Sequence, residues 1–366
     1  MSNERGIALV ITLLVVTLLV ITVVEFSYSV LVDQQLVRNS LSAMQASMLA
    51  RSGINLGQAV LARDSDDPQA DWYFEDWANP DIAAVVNLDS DQRLRVQVVD
   101  EGGKINVNRT RPRAGTPPPR SGQPNLSQDA FVRDALRRLF EANEIDVQIP
   151  DRLLDYWGVQ DQPRKPGGAQ QPVAVVEDFR SLEDFAGTFG IGGNKLTKLS
   201  KFLTALPALT TGGGAAAAIP QSCINVNTAP VEVLAAVIND SARVDQIVQQ
   251  REGEEPLTPA DVNGILQGVE HQAQVGQLFC TRSWYFRIYS SAMVSADPTG
   301  QRSGGVGQTV VALVNRRRKP GVAANAPPDM PRWTLTPLDW QKRGGAELLV
   351  RPQGENNGQD DTLTQR

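Results

Sequence analysis

The sequence predicts an α+β protein: one long N-terminal helix, then an antiparallel sheet domain with a large all-helical domain inserted into it. Three observations predict this class. An uncharged apolar run lies close to the start of the chain. Alternating segments early and late in the chain predict strands, and amphipathic segments between them predict helices. With 366 residues, the chain is long enough for two ordinary domains after the first helix.

The composition argues against an enzyme and against a nucleic-acid-binding protein. The net charge is -6, whereas binding to phosphates requires an excess of Lys and Arg. His271 is the single histidine and there are two cysteines, so the usual ligands and bases of catalytic or zinc sites are scarce.

The first element predicted is a membrane span. Residues 7–24 contain no charge, glycine or proline, and as a helix they would extend about 27 Å, close to the thickness of a bilayer core. Arg5 precedes the run and predicts a cytoplasmic N-terminus with the body exported. A secretory signal peptide would need a shorter apolar core and a small-x-small cleavage site, and the sequence fits neither requirement. A plain single-pass anchor remains an alternative.

The helical pattern continues beyond the span, which predicts one helix over residues 7–62. One apolar face is formed by Val37, Leu41, Met44 and Met48. Gly53 and Gly57 lie four residues apart, and we expect them to let another helix approach closely. A plain anchor has no need of such length.

The body is predicted to have two parts and a tail. Residues 63–110 and 220–318 form the sheet domain, which includes a turn at residues 101–104 that returns the chain as a strand over 105–108. A second hairpin is predicted from residues 284–294 and 306–315. Residues 125–208 form the helical insertion, in which Ser181 caps one helix. Residues 319–366 are rich in Pro, Gly, Asn and Gln, which predicts a disordered tail. The segments at 105–108 and 224–227 both have the sequence INVN and are expected to occupy related places in the sheet.

The start of the chain resembles the leader of type IV prepilins and pseudopilins. In that family a membrane peptidase cuts after a glycine, which here is Gly6, and Ile7 becomes the new first residue. Pilin-like proteins usually carry a glutamate five residues after the cut, and here that position is Ile11. An unpaired carboxylate in lipid costs several kcal/mol, so a subunit without a neighbour to pair with does better without it.

This departure is a mark of the K-type minor pseudopilins of type II secretion (general secretion pathway protein K). Further motifs that resemble this family are GKINVN from Gly103, LDYW from Leu154, FRSLEDF from Phe179 and INVNTA from Ile224. The resemblance implies a subunit at the tip of the pseudopilus, with I-type and J-type minor pseudopilins as partners. It also implies cleavage by prepilin peptidase, methylation of the new N-terminus and a place in the bacterial inner membrane with the body in the periplasm. Its role would be in pseudopilus assembly and protein secretion, without catalysis.

Two sites are expected on the exported side. Cys223 and Cys280 are predicted to form a disulfide, because oxidation is permitted there; two separate thiols are the alternative. Some members of the family bind calcium in the helical insertion. In this chain Asp155 and Asp161 are the candidate ligands, and that loop holds fewer acids than in other members.

A membrane-tethered, periplasmic DNA-binding protein is the rival hypothesis. Gly190-Ile-Gly resembles the turn of a helix-hairpin-helix motif, and Lys195, Lys198 and Lys201 follow it. The acidic balance of the chain and three glutamates within residues 251–255 argue against it, so we expect no nucleic-acid partner.

Overall fold

A computed structural model shows a helix, a sheet and a body of short helices. It describes residues 2–64, 70–78, 86–89, 92–111, 128–157, 177–206, 223–253, 255–295, 305–319 and 333–344. Helix α1 (Ser2–Arg63) begins in the predicted leader and continues without interruption into the body. The α+β class predicted from the sequence is confirmed.

Five antiparallel strands form the main sheet. In spatial order these are β1 (Val86–Asp89), β2 (Gln92–Asp100), β7 (Tyr285–Ser295), β8 (Gly305–Arg318) and β9 (Trp333–Gly344). The late hairpin was predicted correctly: β7 and β8 pair over their whole length, from Tyr285 opposite Asn315 to Ser295 opposite Gly305.

Small residues of α1 let the sheet pack tightly against the helix. Ala46, Ala50 and Ile54 are fully buried in this contact. A Cβ placed on Gly53 would lie 2.1 Å from Ser290 Oγ, and one on Gly57 would lie 2.7 Å from Ile288 Cγ2. These glycines therefore accommodate the sheet and not another helix, which corrects the sequence-based expectation. The pattern was ambiguous because a close-packed surface of either kind needs glycine there.

The predicted disordered tail is wrong for Trp333–Gly344. This segment is strand β9, and it pairs with β8 from Gln308–Gly344 to Arg318–Trp333. Trp333 is nearly buried, and its Nε1 donates to the Asp64 carbonyl oxygen at 2.6 Å. Pro337 suits an edge strand, which has one side without ladder hydrogen bonds. The sequence was misleading because alternation in this segment is broken by proline and charge. Residues 320–332 and 345–366 lie outside the described chain.

The remaining elements form a helical body with its own hydrophobic core. Its helices are α2 (Gln128–Ala142), α3 (Ile149–Tyr156), α4 (Leu182–Phe189), α5 (Gly193–Leu199), α6 (Val231–Ile238), α7 (Ser241–Arg251), α8 (Pro259–Ile265) and α9 (Gln272–Leu278). One cluster of buried side chains runs through both halves of this body, from Ile105 to Phe279. The packing therefore places α6–α9 with the helical insertion, whereas the sequence boundary at residue 220 assigned them to the sheet domain.

The two INVN segments occupy equivalent places, as expected, but each lies in a separate two-stranded sheet and not in the main sheet. Strand β3 (Ile105–Asn106) pairs in parallel with β4 (Leu203–Thr204), and β5 (Ile224–Asn225) pairs in parallel with β6 (Phe279–Cys280). The expected hairpin between β2 and residues 105–108 is thus wrong. The turn at 101–104 leads instead into the helical body, where Ile105 and Asn106 pair with Leu203 and Thr204.

The last asparagine of each INVN segment holds the backbone of a distant residue by two hydrogen bonds. Asn108 Nδ2 donates to the Phe179 carbonyl oxygen at 2.9 Å, and its Oδ1 accepts from Phe179 N at 2.9 Å. In the same way, Asn227 Nδ2 donates to the Leu257 carbonyl oxygen at 3.1 Å, and Asn227 Oδ1 accepts from Leu257 N at 2.9 Å. Each residue held in this way lies just before a capped helix, with Ser181 and Thr258 as the N-caps. The helical body is therefore built from two similar strand–four-helix–strand units.

Candidate membrane anchor and junction site

The outer part of α1 has the properties of a membrane span. It belongs to the one helix of the described chain that is long and apolar enough to cross a bilayer. Its side chains are exposed throughout, including Ile7 at 60% and Ile11 at 56%. The hydroxyl groups of Thr12, Thr17 and Thr22 donate to carbonyl oxygens four residues earlier, at 3.1, 2.9 and 3.2 Å. Each threonine is therefore satisfied by its own helix and can lie in lipid.

A buried arginine lies where α1 meets the body. The side chain of Arg316 on β8 is fully buried and forms ion pairs with Asp64, just after α1, and with Asp71. Its guanidinium lies between two rings, 4.7 Å from the centroid of Phe286 and 4.6 Å from that of Trp333. Four segments are held together at this one side chain, which we call the Arg316 junction.

A second polar network extends the junction to the helical body. Ser283 N donates to Asp71 at 2.5 Å, and Ser283 Oγ donates to Asp100 at 2.5 Å. Asp100 also accepts from the Thr228 hydroxyl, while Asn225 Nδ2 donates to Ser283 Oγ at 2.8 Å. The network joins the end of β2 to the second INVN unit, so the sheet and the helical body meet through buried hydrogen bonds.

Burial controls the protonation of the acids in these networks. It raises the pKa of Glu75 to about 8, and the charges of Asp64 and Asp71 add to that rise. It also raises the pKa of Asp100 to about 6, against the hydrogen bonds from Ser283 and Thr228. Glu101 behaves oppositely: although burial opposes it, the charges of Arg287 and Lys104 lower the pKa of Glu101 to about 2.

We predict that the folded protein loses stability as the pH rises. At pH values above the ordinary pKa values of their side chains, Glu75 and Asp100 bind more protons in the folded state than in the unfolded state. Their stabilising contribution is therefore present near pH 4 and is lost as the pH passes their folded pKa values. Between about pH 5 and pH 8 the free energy of unfolding should fall by on the order of 3 kcal/mol. Denaturant titrations across this range measure it.

The variant Glu75→Gln isolates this effect. Its amide oxygen can still accept the hydrogen bonds that Trp72 N and Trp77 Nε1 donate to the carboxylate, at 3.2 and 2.6 Å, but it cannot ionise. The variant should remove most of the loss at alkaline pH. Glu141→Gln, at an exposed position of α2, should leave the pH profile unchanged. Parallel profiles of wild type and Glu75→Gln would contradict the prediction.

The sulfur atoms of Cys223 and Cys280 lie at bonding distance, with a Cα–Cα separation of 5.7 Å. Cys280 ends β6, and Cys223 directly precedes β5, its parallel partner. A bond between them closes the second INVN unit at the point where its two strands pair.

The candidate calcium ligands do not form a site among the described residues. Asp155 is an exposed carboxylate on α3, and Asp161 lies outside the described chain. Calcium takes six to eight oxygen ligands, so Asp155 alone does not fit it. Three other carboxylates lie within 4.8 Å of one another, those of Asp64, Asp71 and Glu75. Two of these pair with Arg316, so the group is an ion-pair cluster.

The glycine turn between α4 and α5 exists as predicted, with Gly190 in the left-handed conformation that ends α4. Ile191 packs partly against the helical core, which accounts for the turn by packing. Lys195 donates to the Glu144 carbonyl oxygen at 3.1 Å, and Lys198 and Lys201 are exposed. Packing is therefore sufficient to explain the turn.

Sequence reasoning missed the Arg316 junction. The sequence analysis singled out none of Asp71, Asp100 and Arg316 as a site residue. One signal was available: Arg316 has the same alternation parity as Ala312 and Val314, which face α1, so it points inward. An inward arginine requires a buried acid, but only the fold shows which acid.

A membrane-length helix that continues as the support of an antiparallel sheet is a pilin-like fold. Residues 224–278, nearly the whole second INVN unit, match the family model of the type II secretion system (T2SS), protein K.

A solved chain shares the fold. It belongs to the crystal structure of the GspK-GspI-GspJ complex from the enterotoxigenic Escherichia coli type 2 secretion system. The TM-score is 0.55 and the identity 15%, over 84% of this chain and 99% of that chain. No curated protein sequence matches significantly. The resemblance to the K-type minor pseudopilins predicted from the sequence is confirmed by the family match and the fold match.

Proposed function

We propose that this chain is a K-type minor pseudopilin that lies at the tip of a type II secretion pseudopilus and is needed for its assembly and for secretion. The main observation that supports this proposal is the charge-free, exposed span over residues 7–24, because the same helix continues as the support of the sheet. The match of residues 224–278 to the protein K family model supports the K type in particular.

The tip position is supported by Ile11. A subunit inside a filament has a neighbour whose terminal amine can pair with an acid at this point of the helix. Ile11 is apolar and exposed, so it demands no such partner. An apolar side chain is the stable choice in lipid for a subunit with no subunit beyond it.

The proposed partners are the I-type and J-type minor pseudopilins, since a solved chain that shares this fold comes from the structure of a complex of GspK, GspI and GspJ. The protein would act by association and not by catalysis. We place its N-terminus in the cytoplasm, its span in the bacterial inner membrane and its body in the periplasm, where a disulfide between Cys223 and Cys280 can persist.

N-terminal processing tests this proposal. Coexpressed with prepilin peptidase, the full chain purified from membranes should begin at N-methylated Ile7. The variant Gly6→Leu should retain Met1, because the bulky side chain occupies the cleavage position. Asn3→Ala, in the same leader, should still be cleaved. If the wild-type chain keeps Met1 beside an active peptidase, it is a plain anchor and the proposal fails.

A further inference from the structure

Strand β9 is a weakly held cover on a firmly held strand. Over residues 333–341, Trp333 is the one buried side chain of β9, and the others are exposed or half-buried. Pro337 has no amide hydrogen, and a register shift lies opposite Leu313 and Val314, so the ladder between β9 and β8 is interrupted. Strand β8 beside it is buried from Thr309 to Arg316. The attachment of β9 therefore depends mainly on Trp333.

Trp333 belongs to an alternating series of aromatic rings and arginines. Its ring centroid lies 4.6 Å from Arg316 Cζ and 5.1 Å from Arg282 Cζ. Arg316 also contacts the ring of Phe286, at 4.7 Å, and Arg282 contacts that of Trp284, at 5.2 Å. Cation–π contacts gain strength when the charge is shielded from water, and Arg316 is fully buried. Trp333 is thus the one ring of this series that contacts both arginines.

The same tryptophan holds the end of α1. Its Nε1 donates to the carbonyl oxygen of Asp64, the residue that directly follows α1, at 2.6 Å. The carboxylate of Asp64 pairs with Arg316, on which the ring of Trp333 packs. Arg282 lies in the segment that leads from the helical body into β7. Three parts of the fold, α1, the sheet and the helical body, therefore meet at the first residue of β9.

We infer that β9 is a latch: it opens while the rest of the fold stays intact, and its closure through Trp333 fixes the end of α1 to the sheet. Elements with few buried apolar contacts open at a lower free energy than the core does. When β9 is open, Asp64 loses the hydrogen bond from Trp333, and Arg316 loses one of its two rings. Gly53 and Gly57 of α1 touch side chains of β2 and β7, so their contacts stay closed.

The latch joins the first and last elements of the described chain, α1 and β9. This order has a consequence for export, which rests on the topology of the proposed function. A body that crosses the membrane behind an N-terminal anchor exports β9 after all the other described elements. The end of α1 is then fixed to the sheet only after the helical body and the other strands have crossed.

The amides of β8 report separately on its two neighbours. Successive amides of an antiparallel strand point to opposite sides, and the Arg316 amide donates to the Trp284 carbonyl oxygen, on the β7 side, at 2.8 Å. The amides directed toward β7 are therefore those of Val310, Ala312 and Val314. The amides directed toward β9 are those of Val311, Leu313 and Asn315. Opening of the latch frees the second set, whereas global unfolding frees both sets.

Hydrogen exchange of the full chain in detergent, resolved to single amides, tests the latch. In Trp333→Ala the amides of β8 directed toward β9 should exchange about a hundredfold faster than in wild type, because the large buried side chain that holds β9 is lost. The Asp64 amide, which donates to the Val60 carbonyl oxygen at 3.0 Å, should also exchange faster, since the end of α1 is released. The amides directed toward β7 should keep their wild-type rates.

Trp340→Ala is the matched control, because it removes an exposed tryptophan from the same strand. It should change neither set of β8 amides. Equal acceleration of both sets in Trp333→Ala would show that β9 opens only with the whole fold. Acceleration of neither set, or the same acceleration in Trp340→Ala, would show that Trp333 does not hold the strand. Each of these results would overturn the inference.

A crosslink between β8 and β9 tests the latch without removal of Trp333. Arg317 and Thr334 are exposed and lie opposite each other in the ladder, at a spacing that suits a disulfide. In the double variant Arg317→Cys, Thr334→Cys, oxidation should slow exchange of the amides directed toward β9 by about tenfold or more, and reduction should restore it. If the oxidised and reduced proteins exchange alike, the latch is wrong. If Met1 is retained in the processing experiment, only the consequence for export is lost.

Discussion

Replacement of Arg316 by alanine should lower the free energy of unfolding by about 3–5 kcal/mol. The guanidinium is fully buried, pairs with Asp64 and Asp71, and lies between the rings of Phe286 and Trp333. Its removal leaves two carboxylates in the interior with no compensating charge, and a cavity between two aromatic rings. Denaturant unfolding of the purified protein in detergent measures the loss.

Two further variants separate charge from geometry. Arg316→Lys keeps the positive charge but cannot donate two hydrogen bonds in a fork or stack as a plane, so an intermediate loss is expected. Arg317→Ala changes the next residue, which is exposed, and should alter stability by less than about 0.5 kcal/mol. Similar losses for Arg316→Ala and Arg317→Ala would show that the junction is not a stabilising element.

Loss of the bond between Cys223 and Cys280 should cost about 4 kcal/mol on the chain-entropy estimate. The bond joins residues 57 apart and encloses α6–α9, so the unfolded chain would gain much freedom without it. The double variant Cys223→Ser, Cys280→Ser should therefore unfold at lower denaturant concentration than wild type. The same comparison made after reduction of both proteins should abolish the difference.

Alkylation supplies the chemical control. The chain contains two cysteines, so the oxidised protein unfolded without a reductant should gain no mass from an alkylating reagent, and the reduced protein should gain two additions. Alkylation without prior reduction would refute the disulfide. A double variant as stable as wild type would instead show that the bond forms but does not limit unfolding.

The sequence predicted the elements with strong periodicity better than their connections. The apolar run, the late hairpin and the capped helices were predicted because each follows from local pattern and capping chemistry. The partner of Ile105 was not, since a two-residue strand can pair with any edge that the fold brings near it. Likewise Trp333 and Leu335 have little local strand signal, and their place is set by contact with α1 and Arg316.

The same distinction holds for the sites. The roles of Gly6, Ile7 and Ile11 stay predictions, and they were drawn from linear order alone, because a processing motif is read along the chain. The Arg316 junction joins residues separated by more than 240 positions, the ion pairs to Asp64 and Asp71 being 252 and 245 residues apart. Such a site becomes visible only when the fold brings its charges together.

The packing of α1 on the sheet also determines how the molecule would respond to a pulling force on the helix. The helix is about 90 Å long, but its buried side chains begin only at Ser42. A pull on the membrane end therefore runs along the helix axis and slides it past the sheet. Sliding loads the sheet side chains packed against Gly53 and Gly57 together with the ion pair at Asp64, whereas peeling would break these contacts one after another. The body is thus attached to the helix in a shear geometry, which resists a pull along the helix axis.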